Sequence, residues 1–422
     1  MLLYNCMTNE LIFITKEEYE KFINNTLKED NFFLYRFLVT HWFMIPESHN
    51  EKTMIYLQRN SKYNNSLVAN KINTFIILPT TDCNARCYYC FELGAKRVNM
   101  SSQTAQDVAK YIEYKANPKD IVRISWFGGE PLFNTEAINI ISSYLIEKGF
   151  KLKSTMITNG YLFNDDLVQK AVNDWKLINV QITLDGTEET YNKTKAYIYK
   201  DIESPFKTVL NNIEKLIEAK ISVNIRLNLG QKNYEDLYNL IDLLKDRFSK
   251  HNQYFSVHIA PLYENLDNNS LVYTDEERKF IFSQSIELTK LCRDTGLLVI
   301  NDSKYFGDYS IYDKSCMADN PNSVMISPEG NLGSCEHYVD TDFFGSIYDT
   351  TTLDRDYDSI RKWRELREEK EECNTCFYYP KCYRLKGCIS SLSPNSMESC
   401  YKRYADIDKH MFKKYYQFKN NL

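Results

Sequence analysis

Between residues 74 and 262 the chain alternates between short apolar runs and longer amphipathic stretches. The apolar runs predict strands, and the stretches with helical periodicity predict the helices between them. Strands that alternate with helices are typical of a parallel sheet with crossover connections. The six predicted strands span residues 74–81, 121–127, 153–159, 178–184, 221–229 and 253–262.

Six strand–helix units fit a partial (β/α)6 barrel, TIM-like but open, better than a closed eight-stranded barrel, and a doubly wound sheet is the alternative. Residues 1–72 are mixed: a strand and helix at 8–23, a helix at 32–44 and a strand at 51–58 predict an α+β cap. Near residue 300 the alternation stops and a cysteine-rich segment begins. We therefore predict an α/β protein with domains at 1–72, 73–300 and 301–422.

The overall composition excludes several classes of protein. The net charge is −5, and no basic stripe of the kind that binds nucleic acid is present. No apolar run reaches the roughly 18 residues that a membrane span requires. The N-terminus has none of the features of a signal peptide. We expect a cytoplasmic protein without nucleic-acid or membrane partners.

The 12 cysteines are clustered, which in a reducing compartment favours metal binding over disulfides. Cys83, Cys87 and Cys90 fall within eight residues, and no fourth ligand follows nearby. Thiolates select zinc or iron–sulfur clusters. Three ligands leave one iron of a four-iron cluster open to a non-protein group, and zinc is the alternative.

Polar motifs follow the predicted strands at their C-terminal ends, where β/α folds assemble active sites. The first strand leads into the three cysteines. The next strands end in Gly128-Gly129-Glu130-Pro131, in Thr158-Asn159-Gly160 and in Thr183-Leu184-Asp185-Gly186, and the fifth contains Arg226. This coincidence predicts a single site at one edge of the sheet.

The motif Cys83-x3-Cys87-x2-Cys90, with Tyr89 before the last cysteine, resembles the radical S-adenosylmethionine (radical SAM) superfamily, and the Gly-Gly-Glu-Pro motif strengthens the resemblance. The resemblance implies that the three thiolates hold a 4Fe-4S cluster whose fourth iron binds S-adenosylmethionine. Reductive cleavage of that cofactor then yields a 5′-deoxyadenosyl radical. It also implies that the glycine motif contacts the methionine amino group, and glycines permit such close approach.

The same resemblance suggests which other residues contact S-adenosylmethionine. Thr183 stands where the family has a serine, and Lys195 stands where it has an arginine, which keeps the charge but loses bidentate recognition of a carboxylate. The complete predicted set is Tyr89, Gly128, Gly129, Glu130, Asn159, Thr183, Lys195 and Arg226.

The C-terminal cysteines resemble a SPASM domain, which usually houses two auxiliary 4Fe-4S clusters and would bring the total to three. The resemblance assigns one cluster to Cys373, Cys376, Cys382 and Cys400, and the other to Cys316, Cys335 and Cys388. The fourth ligand of the second cluster stays open between Cys292, a substrate thiolate and no ligand.

Radical SAM enzymes with a SPASM domain mostly act on peptides, so the resemblance implies a maturase that installs a cross-link, most simply a thioether, in a ribosomally made precursor peptide. Residues 1–72 resemble the winged-helix-like leader-binding domains of such enzymes, and a flavodoxin or ferredoxin would donate electrons. The alternative is an anaerobic sulfatase-maturing enzyme that forms formylglycine, with Glu336 as its acid–base group in place of the family's Asp. The third hypothesis is a non-catalytic iron–sulfur or zinc protein.

Overall fold

The computed structural model places the chain in two units, each with its own internal packing. The terminal unit contains residues 1–67 and the described residues 317 and 371 onward, whereas the barrel unit contains residues 72–297 and 320–349. The residues that the structure describes are 1–8, 10–67, 72–199, 204–251, 253–262, 274–297, 317, 320, 322–336, 343–349, 371–376, 379–381 and 415.

The terminal unit begins with an antiparallel hairpin of strands β1 (Leu2–Tyr4) and β2 (Leu11–Phe13). Four helices follow: α1 (Lys16–Ile23), α2 (Leu27–Asp30), α3 (Phe32–Thr40) and α4 (Glu51–Leu67). The Thr15 side chain accepts from the Glu18 N–H while the Glu18 carboxylate accepts from the Thr15 N–H. This capping box fixes the start of α1. The predicted strand and helix at 8–23 are therefore confirmed, and the helix predicted at 32–44 is present as α3, which ends at Thr40.

The strand predicted at 51–58 is wrong, because these residues form the first turns of α4. The Asn50 side chain accepts a 3.1 Å hydrogen bond from the Thr53 N–H, and the Asn50 carbonyl accepts one from the Met54 N–H. A side-chain oxygen at this position satisfies a donor that the first helical turn leaves without a partner. The strand on which the winged-helix-like resemblance partly relied is thus replaced by a helix.

The barrel unit is built on one nine-stranded sheet with helices between its strands. The strands are β3 (Thr74–Thr80), β4 (Ile121–Gly128), β5 (Lys151–Thr158), β6 (Leu177–Leu184), β7 (Ser222–Leu229), β8 (Phe255–Pro261), β9 (Ser323–Ile326), β10 (Asn331–Gly333) and β11 (Phe343–Ser346). The helices are α5 (Ser102–Lys115), α6 (Thr135–Glu147), α7 (Asp165–Asn173), α8 (Glu188–Lys195), α9 (Pro205–Glu218), α10 (Tyr234–Phe248) and α11 (Asp275–Asp294).

Strands β3 to β8 are parallel and lie in sequence order, each paired with the next. A doubly wound sheet reverses its strand order at a switch point, and the six strands β3 to β8 do not. The predicted α/β fold with a six-stranded partial barrel is therefore confirmed. The sheet continues past the boundary predicted at residue 300, because β9 pairs in parallel with β3 and β10 and β11 extend that edge in antiparallel fashion.

The two faces of the parallel strands differ in polarity. Trp126, Ile182 and Leu227 belong to the hydrophobic core that the sheet forms with its helices, and all are fully buried. On the opposite face, Asn224 lies in register between Gln181 and Ser256. That face is polar, and it ends at the strand termini where the sequence predicts the site. Among the described helices, none is both long and apolar enough to cross a membrane.

Candidate functional site

The three cysteines of the Cys-x3-Cys-x2-Cys motif lie on one loop between β3 and α5, called the cysteine loop (residues 81–98). The loop returns to its own start, because the Thr81 N–H donates to the Val98 carbonyl at 2.9 Å and the Thr80 hydroxyl donates to the same carbonyl. Cys83, Cys87 and Cys90 are partly buried thiols outside any disulfide. The structure thus confirms that the motif sits at the C-terminal end of the first barrel strand.

Within the described chain, the structure places no three His, Cys, Asp or Glu side chains close enough together to hold a metal ion. The assignment of a four-iron cluster rather than zinc to these thiols stays a prediction. Burial raises the pKa of Cys83 to about 12 and that of Cys90 to about 11, with nearby carboxylates adding to the effect. Metal binding to these thiols must therefore release protons.

The glycine loop (residues 128–131) packs directly on the chain that enters the cysteine loop. The Gly129 N–H donates to the Thr80 carbonyl at 3.2 Å, and the Glu130 N–H donates to the Asp82 carbonyl at 2.8 Å. A Cβ at position 128 would collide with the Thr80 carbonyl, and one at 129 with the Asp82 carbonyl. Gly128 also has a φ of +110°, which L-residues rarely adopt. Both glycines are thus required by close backbone approach.

The Glu130 carboxylate is engaged within the protein. It is fully buried and accepts from the Thr158 hydroxyl at 2.7 Å, the Asn159 N–H at 2.8 Å and the Leu132 N–H at 3.2 Å. Burial raises its pKa, and the three hydrogen bonds oppose that rise. Glu130 therefore joins the glycine loop to the end of β5. Its contact with a cofactor stays a prediction.

Asn159 reaches from the end of β5 to the cysteine loop. Its amide nitrogen donates to Asn84 Oδ1 at 2.6 Å and lies 3.9 Å from Cys83 Sγ. Its amide oxygen accepts from the Tyr161 N–H at 3.0 Å. This predicted site residue therefore lies next to Cys83, the first cysteine of the motif.

Tyr89, Asp185 and Lys195 form a buried triangle at the other end of the cysteine loop. The Tyr89 hydroxyl donates to Asp185 Oδ1 at 2.7 Å, and Lys195 Nζ donates to the Tyr89 hydroxyl at 3.1 Å. Lys195 Nζ also lies 3.1 Å from Asp185 Oδ2. Burial lowers the pKa of Lys195, but the Asp185 charge and Tyr89 more than offset this and hold that pKa well above its usual value. The lysine is therefore charged.

Arg226 and Thr183 lie side by side on the polar face, in register on β7 and β6. Arg226 is half-buried, and its Nε donates to Asn228 Oδ1 at 3.0 Å. The next strand places His258 opposite Arg226. Burial and the Arg226 charge lower the pKa of His258 to about 4, so this histidine is neutral at pH 7.

The predicted auxiliary-cluster ligands are only partly described. Cys335, buried, and Glu336, half-buried, follow β10 in the barrel unit. In the terminal unit, Cys373 and Cys376 pack against Ile55 and Tyr379. The predicted ligands that lie outside the described residues are Cys316, Cys382, Cys388 and Cys400. The two ligand sets, and the acid–base role of Glu336, stay predictions.

Cys292, one candidate for the missing ligand, lies on α11 inside the main hydrophobic core. It is 1% exposed, and burial raises its pKa to about 12. Buried thiols of this kind behave as small apolar side chains. The structure therefore favours a packing role for Cys292.

Sequence reasoning missed Asp185 as a site residue, although it stands inside the Thr183–Gly186 motif. Its carboxylate accepts from Tyr89 and from the Asn228 amide at 3.1 Å, while its carbonyl accepts from the Asn233 amide at 2.6 Å. The signal that could have found it is an acidic residue at a strand terminus with a cation, Lys195, on the following helix.

Comparison with known proteins agrees with this geometry. Residues 77–244 match the family described as the Radical SAM superfamily. The GTP 3′,8-cyclase of Clostridium perfringens (strain SM101 / Type A) is 22% identical over 267 residues, which cover 61% of this chain and 79% of the cyclase. The cysteine-type anaerobic sulfatase-maturating enzyme of Clostridium novyi (strain NT) is 21% identical over 350 residues, which cover 75% of this chain and 87% of that enzyme.

Two solved structures share the fold over most of the chain. Native anSMEcpe with bound AdoMet and Cp18Cys peptide matches with a TM-score of 0.60 at 17% identity, covering 82% of this chain and 99% of that one. Streptococcus suis SuiB bound to the precursor peptide SuiA matches with a TM-score of 0.54 at 14% identity, covering 90% and 91%. At these identities the likeness establishes the fold.

Proposed function

We propose that this chain, in which residues 77–244 form a radical SAM domain, is an enzyme that cross-links a ribosomally made precursor peptide, most simply through a thioether. Hydrogen abstraction from the peptide would begin the reaction. The carbon would give its hydrogen atom to the 5′-deoxyadenosyl radical, and the cysteine thiol would lose a proton as the carbon–sulfur bond forms. The one electron released in that step would pass to a predicted auxiliary iron–sulfur cluster, so the peptide loses two hydrogens in total.

The observation that carries this proposal is the junction between the cysteine loop and the glycine loop. Three partly buried thiols stand on a loop whose entry, at Thr80 and Asp82, is hydrogen-bonded to Gly129 and Glu130. A loop held in this way keeps its ligands in place before metal binds, which lowers the ordering cost of assembling a cluster.

The residues present fit a radical SAM cofactor. Cys83, Cys87 and Cys90 would hold the four-iron cluster, and the glycine loop, Thr183 and Arg226 would hold S-adenosylmethionine. When bound, the two together supply a one-electron reduction and an acceptor for a hydrogen atom. The chain itself orients them: Glu130 fixes the glycine loop, and Asn159 lies beside Cys83.

A peptide substrate is supported by the two solved neighbours, which were determined with peptides bound. The polar face of the barrel sheet also supplies amide and hydroxyl groups, such as Asn224 and Ser256, which hydrogen-bond to each other at 3.0 Å. Groups of this type suit an extended peptide backbone. In this proposal the terminal unit binds the leader of the precursor, and a flavodoxin or ferredoxin supplies electrons.

The second candidate is formylglycine formation, as in the sulfatase-maturating relative. The observation that favours it is Glu336, a half-buried carboxylate directly after Cys335. A carboxylate there can serve as a base. The two reactions differ in their products, because formylglycine formation at cysteine removes the sulfur whereas a thioether retains it.

The test is an anaerobic assay of iron-reconstituted protein with dithionite, S-adenosylmethionine and each short cysteine-containing peptide encoded beside this chain. A peptide lighter by two hydrogens, with its sulfur retained and its thiol no longer alkylated by iodoacetamide, is the expected result. A sulfatase peptide containing cysteine is the parallel substrate. Loss of sulfur from that peptide alone would overturn the cross-linking proposal in favour of formylglycine.

A further inference from the structure

We infer that Asp185 and Lys195 are positioning residues, whose buried ion pair holds Tyr89 and thereby the Cys87–Cys90 stretch of the cysteine loop against the barrel. Lys195 then does not bind the methionine carboxylate, although the radical SAM resemblance predicts that it does. The inference deepens the proposed function and rests on it, since the cysteine loop is taken to hold the cluster.

The three side chains contact one another in a closed triangle. The Tyr89 hydroxyl donates to Asp185 Oδ1 and accepts from Lys195 Nζ, at 2.7 and 3.1 Å. Lys195 Nζ completes the triangle 3.1 Å from Asp185 Oδ2. Tyr89 belongs to the cysteine loop, Asp185 follows β6, and Lys195 ends α8. The triangle therefore ties the loop to two elements of the barrel.

Because Lys195 and Asp185 are both buried, each charge depends on the other for compensation. The side chains of Lys195 and Asp185 are only 4% and 1% exposed. Asp185 Oδ2 receives no aligned hydrogen bond, so among the described groups the ammonium of Lys195 compensates that oxygen. An isolated charge buried to this extent is strongly destabilising.

A main-chain contact reinforces the link between α8 and the cysteine loop. The Arg86 N–H donates to the Lys195 carbonyl at 2.7 Å. Arg86 directly precedes Cys87, and Tyr89 directly precedes Cys90. Lys195 thus contacts the loop on both sides of Cys87, once through its carbonyl and once through its ammonium group.

The triangle leaves Lys195 unsuited to a cofactor carboxylate. Its charge is already balanced by Asp185, and its side chain has almost no exposed surface. Arg226 differs on both counts. It is half-buried on the polar face, and among the described residues no acidic group lies within ion-pair distance of it. Arg226 is therefore the better receptor for an anion.

The pairing is tested with Asp185→Asn, Lys195→Met and the double variant, followed by thermal unfolding. Each single variant should lower Tm by about 10 °C, and the double variant should recover at least half of that loss, because no unpaired charge remains. Lys215→Met is the matched control, since Lys215 forms an exposed pair with Asp165 at 2.8 Å; its Tm should change by less than about 2 °C. Additive losses in the double variant would overturn the pairing.

The positioning role is tested by hydrogen exchange of the peptide covering residues 83–93 in iron-free protein. Exchange there should be about tenfold faster in Tyr89→Phe and in Asp185→Asn than in the wild type, and unchanged in Lys215→Met. Equal exchange in all four proteins would contradict the role. This measurement needs neither cluster nor substrate, so it stands even if the proposed function fails.

Affinity for S-adenosylmethionine separates positioning from contact. By equilibrium dialysis on iron-loaded protein, the double variant should bind within about threefold of the wild type, whereas Arg226→Met should weaken binding about tenfold or more. A double variant that is folded and iron-loaded but binds as weakly as Arg226→Met would show that Lys195 is a direct contact. A wild type that holds iron and does not bind S-adenosylmethionine would instead refute the proposed function.

Discussion

The Glu130 N–H donates a 2.8 Å hydrogen bond to the carbonyl of Asp82, so the glycine loop is joined through the main chain to the residue directly before Cys83. The Glu130 side chain extends this link to β5 through Thr158 and Asn159. Three neighbouring strands thus determine where the cysteine loop begins. Changes in the glycine loop should therefore affect the metal site even though no glycine is a ligand.

Gly128→Ala should lower the free energy of unfolding by about 3 kcal/mol or more, because its Cβ would collide with the Thr80 carbonyl in addition to the strain of a positive φ. Gly149→Ala is the matched control, since Gly149 also has a positive φ but a Cβ there meets nothing within 4 Å. That variant should lose about 1–2 kcal/mol. Chemical denaturation checks both, and equal losses would refute the close approach.

Glu130→Gln should lower the free energy of unfolding by about 1–3 kcal/mol, because the amide offers one acceptor oxygen where the carboxylate has two. Of the three donors at Glu130, those from Thr158 and Asn159 reach different oxygens, so one of them loses its acceptor. Glu136→Gln is the control, as its hydrogen bond with Ser102 is exposed. The control should change stability by less than about 0.5 kcal/mol.

The barrel is predictable from the sequence because each strand has a buried apolar face and is followed by an amphipathic helix. Most of the site is predictable too, because its polar motifs directly follow these strands in the sequence. The pairing of Asp185 with Lys195 is harder to predict, since the two residues lie ten positions apart along the chain and only the fold of α8 brings the amine to the carboxylate. The first turns of α4 were predicted as a strand because their β-branched and aromatic residues favour one. The Asn50 side chain instead caps a helix there by accepting from the Thr53 N–H.

His258 should make stability fall as the pH falls from about 6.5 towards 4. Its pKa is about 4 in the folded chain and near 6.5 when unfolded, so in this range only the unfolded state takes up the proton. The lowered pKa of His258 stabilises the folded state by at most about 3 kcal/mol, and this stabilisation is fully present above pH 6.5. His258→Asn should flatten the dependence of unfolding free energy on pH over this window. An unchanged slope would mean that His258 titrates normally.

Cys292→Ala should leave the iron content of reconstituted protein unchanged and cost about 1 kcal/mol of stability, because the thiol packs in the core around α11. Cys335→Ala is the informative comparison, since Cys335 is also buried but is a predicted cluster ligand. That variant should lose iron. Loss of iron from Cys292→Ala would restore it as the missing ligand of the auxiliary cluster.

Reductive cleavage of S-adenosylmethionine tests the central claim most directly. Wild-type protein, loaded with iron and sulfide and reduced with dithionite, should form 5′-deoxyadenosine from S-adenosylmethionine. The variant with Cys83, Cys87 and Cys90 all changed to Ala should form none while retaining iron at the other cysteines. Undiminished 5′-deoxyadenosine from that variant, or none from a fully iron-loaded wild type, would contradict the account.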